Sequence, residues 1–315
     1  MLQTTPIRIG TRRSPLARYQ ATLVGKTLVT QWPGLEVQYV YVQTEGDARR
    51  SEPLERLAGT GVFVKELQQA LLGGTIDLAV HSLKDMPAAG PEGLAIAAVL
   101  PRADARDVLA AASSQLDQLP LGATLATSSP RRVAQLRAYR PDLQFVAVRG
   151  NVDTRLRKVG ELGLQGAVLA AAGLTRLELT SWITEYLPVE VCVPQVGQGA
   201  IAVEIWGGDE RLRRLVAPLD HQPTRAATTA ERSFLRRLGG GCQFPIGAFA
   251  EQIGATDDSE AELVIQAFVG GAGSAPDRRG QRRGPVARAE ALGAELAEAL
   301  LEGASDRSNA AAGAR

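Results

Sequence analysis

One local pattern occurs twice in this chain, and it limits the fold more than any other feature. A short apolar run, Ile7-Arg8-Ile9-Gly10, leads through Thr11-Arg12-Arg13 to Ser14-Pro15, after which Leu16, Tyr19, Leu23 and Thr27 recur at helical spacing. Far downstream, Thr124-Leu125-Ala126 leads through Thr127-Ser128-Ser129 to Pro130, with Arg131 and Arg132 following and Val133, Leu136 and Arg137 continuing a helix. Serine is a good N-cap, and proline suits the first helical position. Strand, polar loop and capped helix open an α/β unit, so two copies predict two similar α/β domains. Each copy sets arginines beside a helix N-terminus, a favourable place for an anion.

Four further stretches extend the pattern. Leu35 to Val42 and Ile76 to Val80 read as strands, as do Phe145 to Val148 and Ala167 to Gly173. Arg12, Arg131, Arg132, Arg149, Arg155 and Arg176 then all follow strand ends. In a chain of 315 residues with a net charge of +1, such a concentration implies a focused positive cleft. Arginine suits bidentate binding of carboxylate or phosphate. The balanced charge argues against a general nucleic-acid binder. No apolar run approaches the ~20 residues that span a bilayer, and the N-terminus lacks a secretory pattern. The expected setting is therefore the cytosol, with no membrane and no nucleic acid as partner.

The strand ending at Val80 delivers His81-Ser82-Leu83-Lys84-Asp85-Met86-Pro87. Ligands of open α/β sheets bind at the C-terminal ends of strands. His81 and Ser82 point to opposite faces of an extended segment, which makes a poor dyad. Lys84 and Asp85 offer a cation and a carboxylate on a loop fixed by Pro87; the alternative is a surface ion pair, worth little. Gly25-Lys26-Thr27 is no phosphate loop, because the first glycine is missing. Gly197-Gln198-Gly199-Ala200 precedes a strand rather than a helix, which fits a crossing between domains better than a dinucleotide site.

After Pro101 the sequence Arg102-Ala103-Asp104-Ala105-Arg106-Asp107 reads as a hinge. The polar segment 44–61 reads as a loop, and Phe63 to Leu72 as a helix. The last third has another rhythm: a helix over 223–238, antiparallel strands at Ile246 to Glu251 and Leu263 to Val269, and a helix over Ala287 to Leu301. The predicted organisation is residues 1–99 with 195–217, then 100–194, then a small α+β domain over 218–302. A disordered tail over 303–315 is expected. Between its helix and first strand the last domain carries Gly239-Gly240-Gly241-Cys242-Gln243-Phe244-Pro245, a thiol on a bend with little side-chain bulk. Glycines cost backbone entropy, and close approach of something large is one reason to keep them. Cys192, the other cysteine, sits among Val191, Val193 and Pro194 and reads as structural.

Together these stretches resemble the hydroxymethylbilane synthase, or porphobilinogen deaminase, family over nearly the whole chain. The resemblance rests on Thr11 to Ala17, Phe63 to Leu67, Val80 to Asp85, Thr127 to Arg132, Arg149 to Val152, Val196 to Ala200 and Gly240 to Gln243. It implies two α/β domains like those of periplasmic binding proteins with a central cleft, and a third, α+β domain. It implies a dipyrromethane cofactor joined by a thioether to Cys242, with contacts from Lys84, Asp85, Thr127, Ser128, Ser129, Arg131, Arg132 and Arg155. Asp85 is implied as the main catalytic carboxylate. Arg12, Ser14, Gln20, Phe63, Arg149, Arg155, Arg176 and Gln198 are implied to hold substrate; no metal is. The implied reaction condenses four porphobilinogens head to tail with loss of ammonia and frees hydroxymethylbilane by hydrolysis. The partners are then porphobilinogen and the growing polypyrrole, and the protein is expected to be a monomer. Thr60 and Glu45 depart from the basic residues many relatives carry, and Pro130 replaces a leucine.

The chemistry agrees with that resemblance. Each porphobilinogen brings acetate and propionate, which arginine loops can meet. Loss of ammonia leaves an electron-poor azafulvene, and an aspartate can stabilise cationic pyrrole nitrogens and move a proton. Two other readings remain open on the residues alone. A non-catalytic two-domain anion receptor explains the arginines but leaves Cys242 idle. A cysteine hydrolase would need His81 or His221 beside Cys242, and no motif places either there.

Overall fold

Two five-stranded sheets with the same spatial arrangement of strands form the first two lobes. The computed structural model describes residues 5–44, 64–239, 245–254, 261–271 and 276–312. Lobe 1 contains β1 (Ile7–Arg12), α1 (Pro15–Gln31), β2 (Val37–Val42), α2 (Lys65–Leu72), β3 (Leu78–Ser82) and β4 (Leu94–Val99). Lobe 2 contains β5 (Asp107–Ala110), β6 (Thr124–Ala126), α3 (Pro130–Tyr139), β7 (Gln144–Val146), α4 (Val152–Glu161), β8 (Gly166–Ala170), α5 (Ala171–Arg176) and β9 (Ile183–Tyr186). The chain then returns to lobe 1 with β10 (Ile201–Trp206) and α6 (Glu210–Val216).

The strand orders are β2-β1-β3-β10-β4 and β7-β6-β8-β5-β9. The first three strands of each are parallel, and β10 and β5 run antiparallel to both neighbours. Each sheet therefore takes one interior strand from a chain arriving out of the other lobe. Strands covered on both faces need continuous apolar runs. Leu78, Ala79 and Val80 in β3 and Ile201, Ala202 and Val203 in β10 are all buried, as that rule demands. The crossings, 100–106 and 187–200, lie side by side: Ala103 N donates to Gly199 O.

Lobe 3 packs α7 (Gln222–Arg237) and α8 (Ala289–Ala312) on an antiparallel sheet of β11 (Ile246–Ile253), β12 (Glu262–Val269) and β13 (Arg278–Pro285). Ala227, Ala230 and Phe234 form the buried face of α7. The third strand was not legible, because Arg278 to Pro285 carries four arginines. Its inward positions are glycines that let α8 approach: a Cβ on Gly280 would lie 3.0 Å from Leu296, and one on Gly284 3.0 Å from Leu292.

One expectation needs correction. The run Ala167 to Gly173 is a strand only to Ala170; Asp107 pairs with Ala170 at the ladder's end, and Ala171 begins a helix. Arg176 thus stands in the last turn of α5 rather than in a loop after a strand. The last helix, α8, runs as far as Ala312.

Candidate active site

A cavity of about 250 Å³ lies between lobes 1 and 2. Lobe 1 contributes Arg12, Ser14, Lys84 and Asp85; lobe 2 contributes Arg132, Arg149, Asn151, Asp153 and Arg155. Arg12 ends β1, and Ser14 caps α1 through Ala17 N at 3.3 Å. Lys84 and Asp85 sit in a single 3-10 turn, Leu83–Asp85, directly after β3. That turn is braced by the second crossing. Ala200 O accepts from Leu83 N at 3.0 Å, and Gln195 Nε2 donates to Lys84 O at 3.0 Å. Gly197 adopts a φ of +72°, and a Cβ there would come within 2.9 Å of Leu83 Cγ, so the close approach requires glycine. Met86 is extended, as the residue before a proline prefers.

Positive charge dominates the lining. Burial pushes the Lys84 ammonium down to about 8 from 10.5, against the opposing pull of Asp85. Burial, with Arg132 and Arg149 nearby, likewise lowers Arg155 to about 10. Arg149 Nη1 is buried and has no hydrogen-bond partner among the described residues. Desolvated cations and an unsatisfied guanidinium N–H are costly alone and are relieved by an anionic ligand. Carboxylates of a dipyrromethane fit that requirement. The depressed Lys84 value has a measurable sign. Between about pH 8 and 10.5 the unfolded chain holds a proton that folded Lys84 has released, so this group makes stability rise with pH across that window. Urea unfolding of ligand-free protein should show a shallower rise for Lys84→Met than for wild type; equal slopes would contradict the assignment.

The structure separates the expected site residues into two sets. Arg12, Ser14, Lys84, Asp85, Arg132, Arg149 and Arg155 line the cavity together. Arg131 does not; it is buried against Asp107 at 2.7 Å and Val193 O at 2.5 Å. Gln198 is fully buried, donating to Asp107 Oδ1 at 2.9 Å and facing Lys84 Nζ at 3.4 Å. Gln20 braces Ser82 at 2.8 Å, and Arg176 donates to Gly199 O at 2.6 Å. Thr127 accepts from Ser129 N, Ser128 donates to Val148 O, and Ser129 caps α3 through Arg132 N. Cys242, Phe63, Glu45 and Thr60 lie outside the described residues. His81 is buried against Glu204 at 3.0 Å. No group of side chains suited to a metal ion occurs among the described residues.

Sequence reasoning missed Asp107. Its buried carboxylate accepts from Arg132 Nε at 3.0 Å and Nη2 at 2.7 Å, from Arg131, from Gln198 and from Cys192 Sγ at 3.3 Å. The arginines hold its pKa far below the usual carboxylate range despite burial. Only the fold brings these partners together, so no local signal marked it. Asp107 and Val168 O fix Arg132, which lines the cavity, while Arg131 fastens the second crossing.

A family model described as "Porphobilinogen deaminase, dipyromethane cofactor binding domain" matches residues 7–214, and one described as "Porphobilinogen deaminase, C-terminal domain" matches 226–302. The chain belongs to the porphobilinogen deaminase family. Curated relatives named porphobilinogen deaminase agree along nearly their whole length. That of Syntrophus aciditrophicus is 46% identical over 94% of this chain and 95% of its own. That of Syntrophotalea carbinolica is 47% identical over 97% and 96%, and that of Moorella thermoacetica 48% over 94% and 93%. A TRAP periplasmic solute binding protein from Desulfovibrio salexigens, 10% identical, covers 69% of this chain and 72% of its own with a TM-score of 0.42, too low to bear on the fold.

Proposed function

We propose that this chain is a hydroxymethylbilane synthase, a transferase that joins four porphobilinogens head to tail with release of ammonia and then frees the linear tetrapyrrole by hydrolysis. The observation that carries the reading is Asp85, in the turn that follows β3, set among Arg12, Lys84, Arg132, Arg149 and Arg155 in a cavity between two lobes whose other carboxylate is Asp153. Acetate and propionate groups of substrate and chain meet the arginines. Ammonia leaves the aminomethyl carbon of porphobilinogen, and positive charge spreads over pyrrole nitrogen. Asp85 lies where it can stabilise that charge and take up a proton. Lys84, Arg132 and Arg155 would hold the carboxylates of dipyrromethane, with Cys242 as its thioether anchor. When bound, dipyrromethane supplies the unsubstituted pyrrole carbon on which the chain grows. Among the described residues no helix is long and apolar enough to cross a membrane. A cytoplasmic monomer is the form we assign.

The direct test is ammonia release from porphobilinogen by the purified protein, together with an intact mass one dipyrromethane above the sequence. Absence of both overturns the reading. The arginines divide by task. Arg132→Leu, and Arg131→Leu acting through Asp107, should impair cofactor loading. Arg149→Leu and Arg155→Leu should impair chain growth, with Arg155 serving cofactor and substrate carboxylates alike. Each loss of a charge-assisted pair is expected to cost about 1.5–3 kcal/mol. Normal turnover in all four variants would reduce the cavity to a solvated basic surface.

A further inference from the structure

The loop that carries Asp85 leaves the cavity through Pro87 and Ala88, and there it meets lobe 3. Arg232, in the middle of α7, donates through Nη2 to Pro87 O at 2.9 Å and to Ala88 O at 3.0 Å. Ala88 also packs against the apolar core of lobe 3. Arg232 forms no ion pair among the described residues. Burial keeps its guanidinium below the usual arginine range, with Arg236 adding repulsion and Glu204 a weaker attraction. A desolvated cation resting on two carbonyl oxygens is a costly way to pack a helix against a loop. The arrangement is mechanically specific, however. Gln195 holds the Lys84 carbonyl from the second crossing, and Arg232 holds the two carbonyls that follow Met86 from lobe 3.

We infer that Arg232 is a positioning residue for the reaction, clamping the Lys84–Asp85 turn from the domain that carries Cys242. This rests on the proposed function of the cavity. Through the clamp, the catalytic carboxylate keeps a fixed register to lobe 3 rather than to lobe 1 alone. A displacement on the order of 1 Å at a reacting group can cost 10²-fold in rate.

The test compares wild-type holoenzyme with Arg232→Met, which keeps an unbranched apolar stem but loses charge and donors, and with Arg232→Lys. For Arg232→Met we expect full cofactor mass, kcat lower by roughly 10- to 100-fold and KM changed by less than about twofold. Amide exchange across 84–89 should be roughly tenfold faster, the effect of losing about one charge-assisted hydrogen bond, while β3 stays protected. Arg232→Lys should recover part of both. Wild-type kcat in loaded Arg232→Met, or unchanged exchange at 84–89, overturns the clamp. If the methionine variant does not fold, the lysine variant decides: exchange at 84–89 equal to wild type overturns the clamp, and faster exchange supports it. A wild-type protein that releases no ammonia counts against the proposed function alone, because the exchange comparison still reads the clamp.

Discussion

Asp85→Asn is expected to lower turnover of porphobilinogen by on the order of 10²–10³ or more, while leaving the fold intact. The amide keeps the shape of the side chain in the Leu83–Asp85 turn but removes the charge we propose to face cationic pyrrole nitrogen. If the carboxylate acts only through its field, the loss stays in that range. If it also carries the proton, the loss is greater, because an amide cannot take the proton up. Asp85→Glu should retain more activity than Asp85→Asn, since the charge is kept and displaced. Steady-state ammonia release, with the melting temperature as control, distinguishes these outcomes. Near-normal release by folded Asp85→Asn would make Lys84 and Asp85 a mere ion pair and remove the active site from this cavity.

The second large effect concerns the two thiols. Cys242→Ser should carry no dipyrromethane and show no turnover, whereas Cys192→Ser should remain loaded and active. Cys192 is completely buried, and burial together with Asp107 pushes its thiol up to about 12. The thiolate, the reactive form, is therefore almost absent there near neutrality. Serine at that position can still donate to Asp107, as the thiol does at 3.3 Å. Intact mass and peptide mapping provide the measurement. A loaded Cys242→Ser protein, or dipyrromethane mapped to Cys192, would end the assignment.

What could be read in the sequence was what local chemistry dictates. Ser14-Pro15 and Ser129-Pro130 start α1 and α3 as written, with each serine capping its helix. The glycine pair Gly197 and Gly199 precedes β10, as expected of a crossing. Lys84 and Asp85 reach the cavity because a strand end put them there. What could not be read depends on distant partners. Gln20 and Gln198, which the family resemblance implies as substrate contacts, also brace Ser82 and Asp107, residues 62 and 91 positions away. Arg131 and Arg132 are adjacent, yet one serves the crossing and the other the cavity, because successive helical positions turn to different faces. The strand β13 hides behind its arginines, since glycine serves there as a floor for α8.

The exchange of strands between lobes has a consequence for synthesis on the ribosome. All five strands of the second sheet, β5 to β9, are contiguous in the chain, so that sheet can close once Tyr186 has emerged. The first sheet cannot. Its β3 and β4 are joined only through β10, so a nascent chain shorter than Ile201 leaves β4 without its sheet neighbour. The lobe made first is thus completed second, and the Leu83–Asp85 turn after β3 gains the Leu83–Ala200 brace only as the sheet closes. Vectorial translation reaches Asp85 early, but its setting is assembled only after the second lobe has been made.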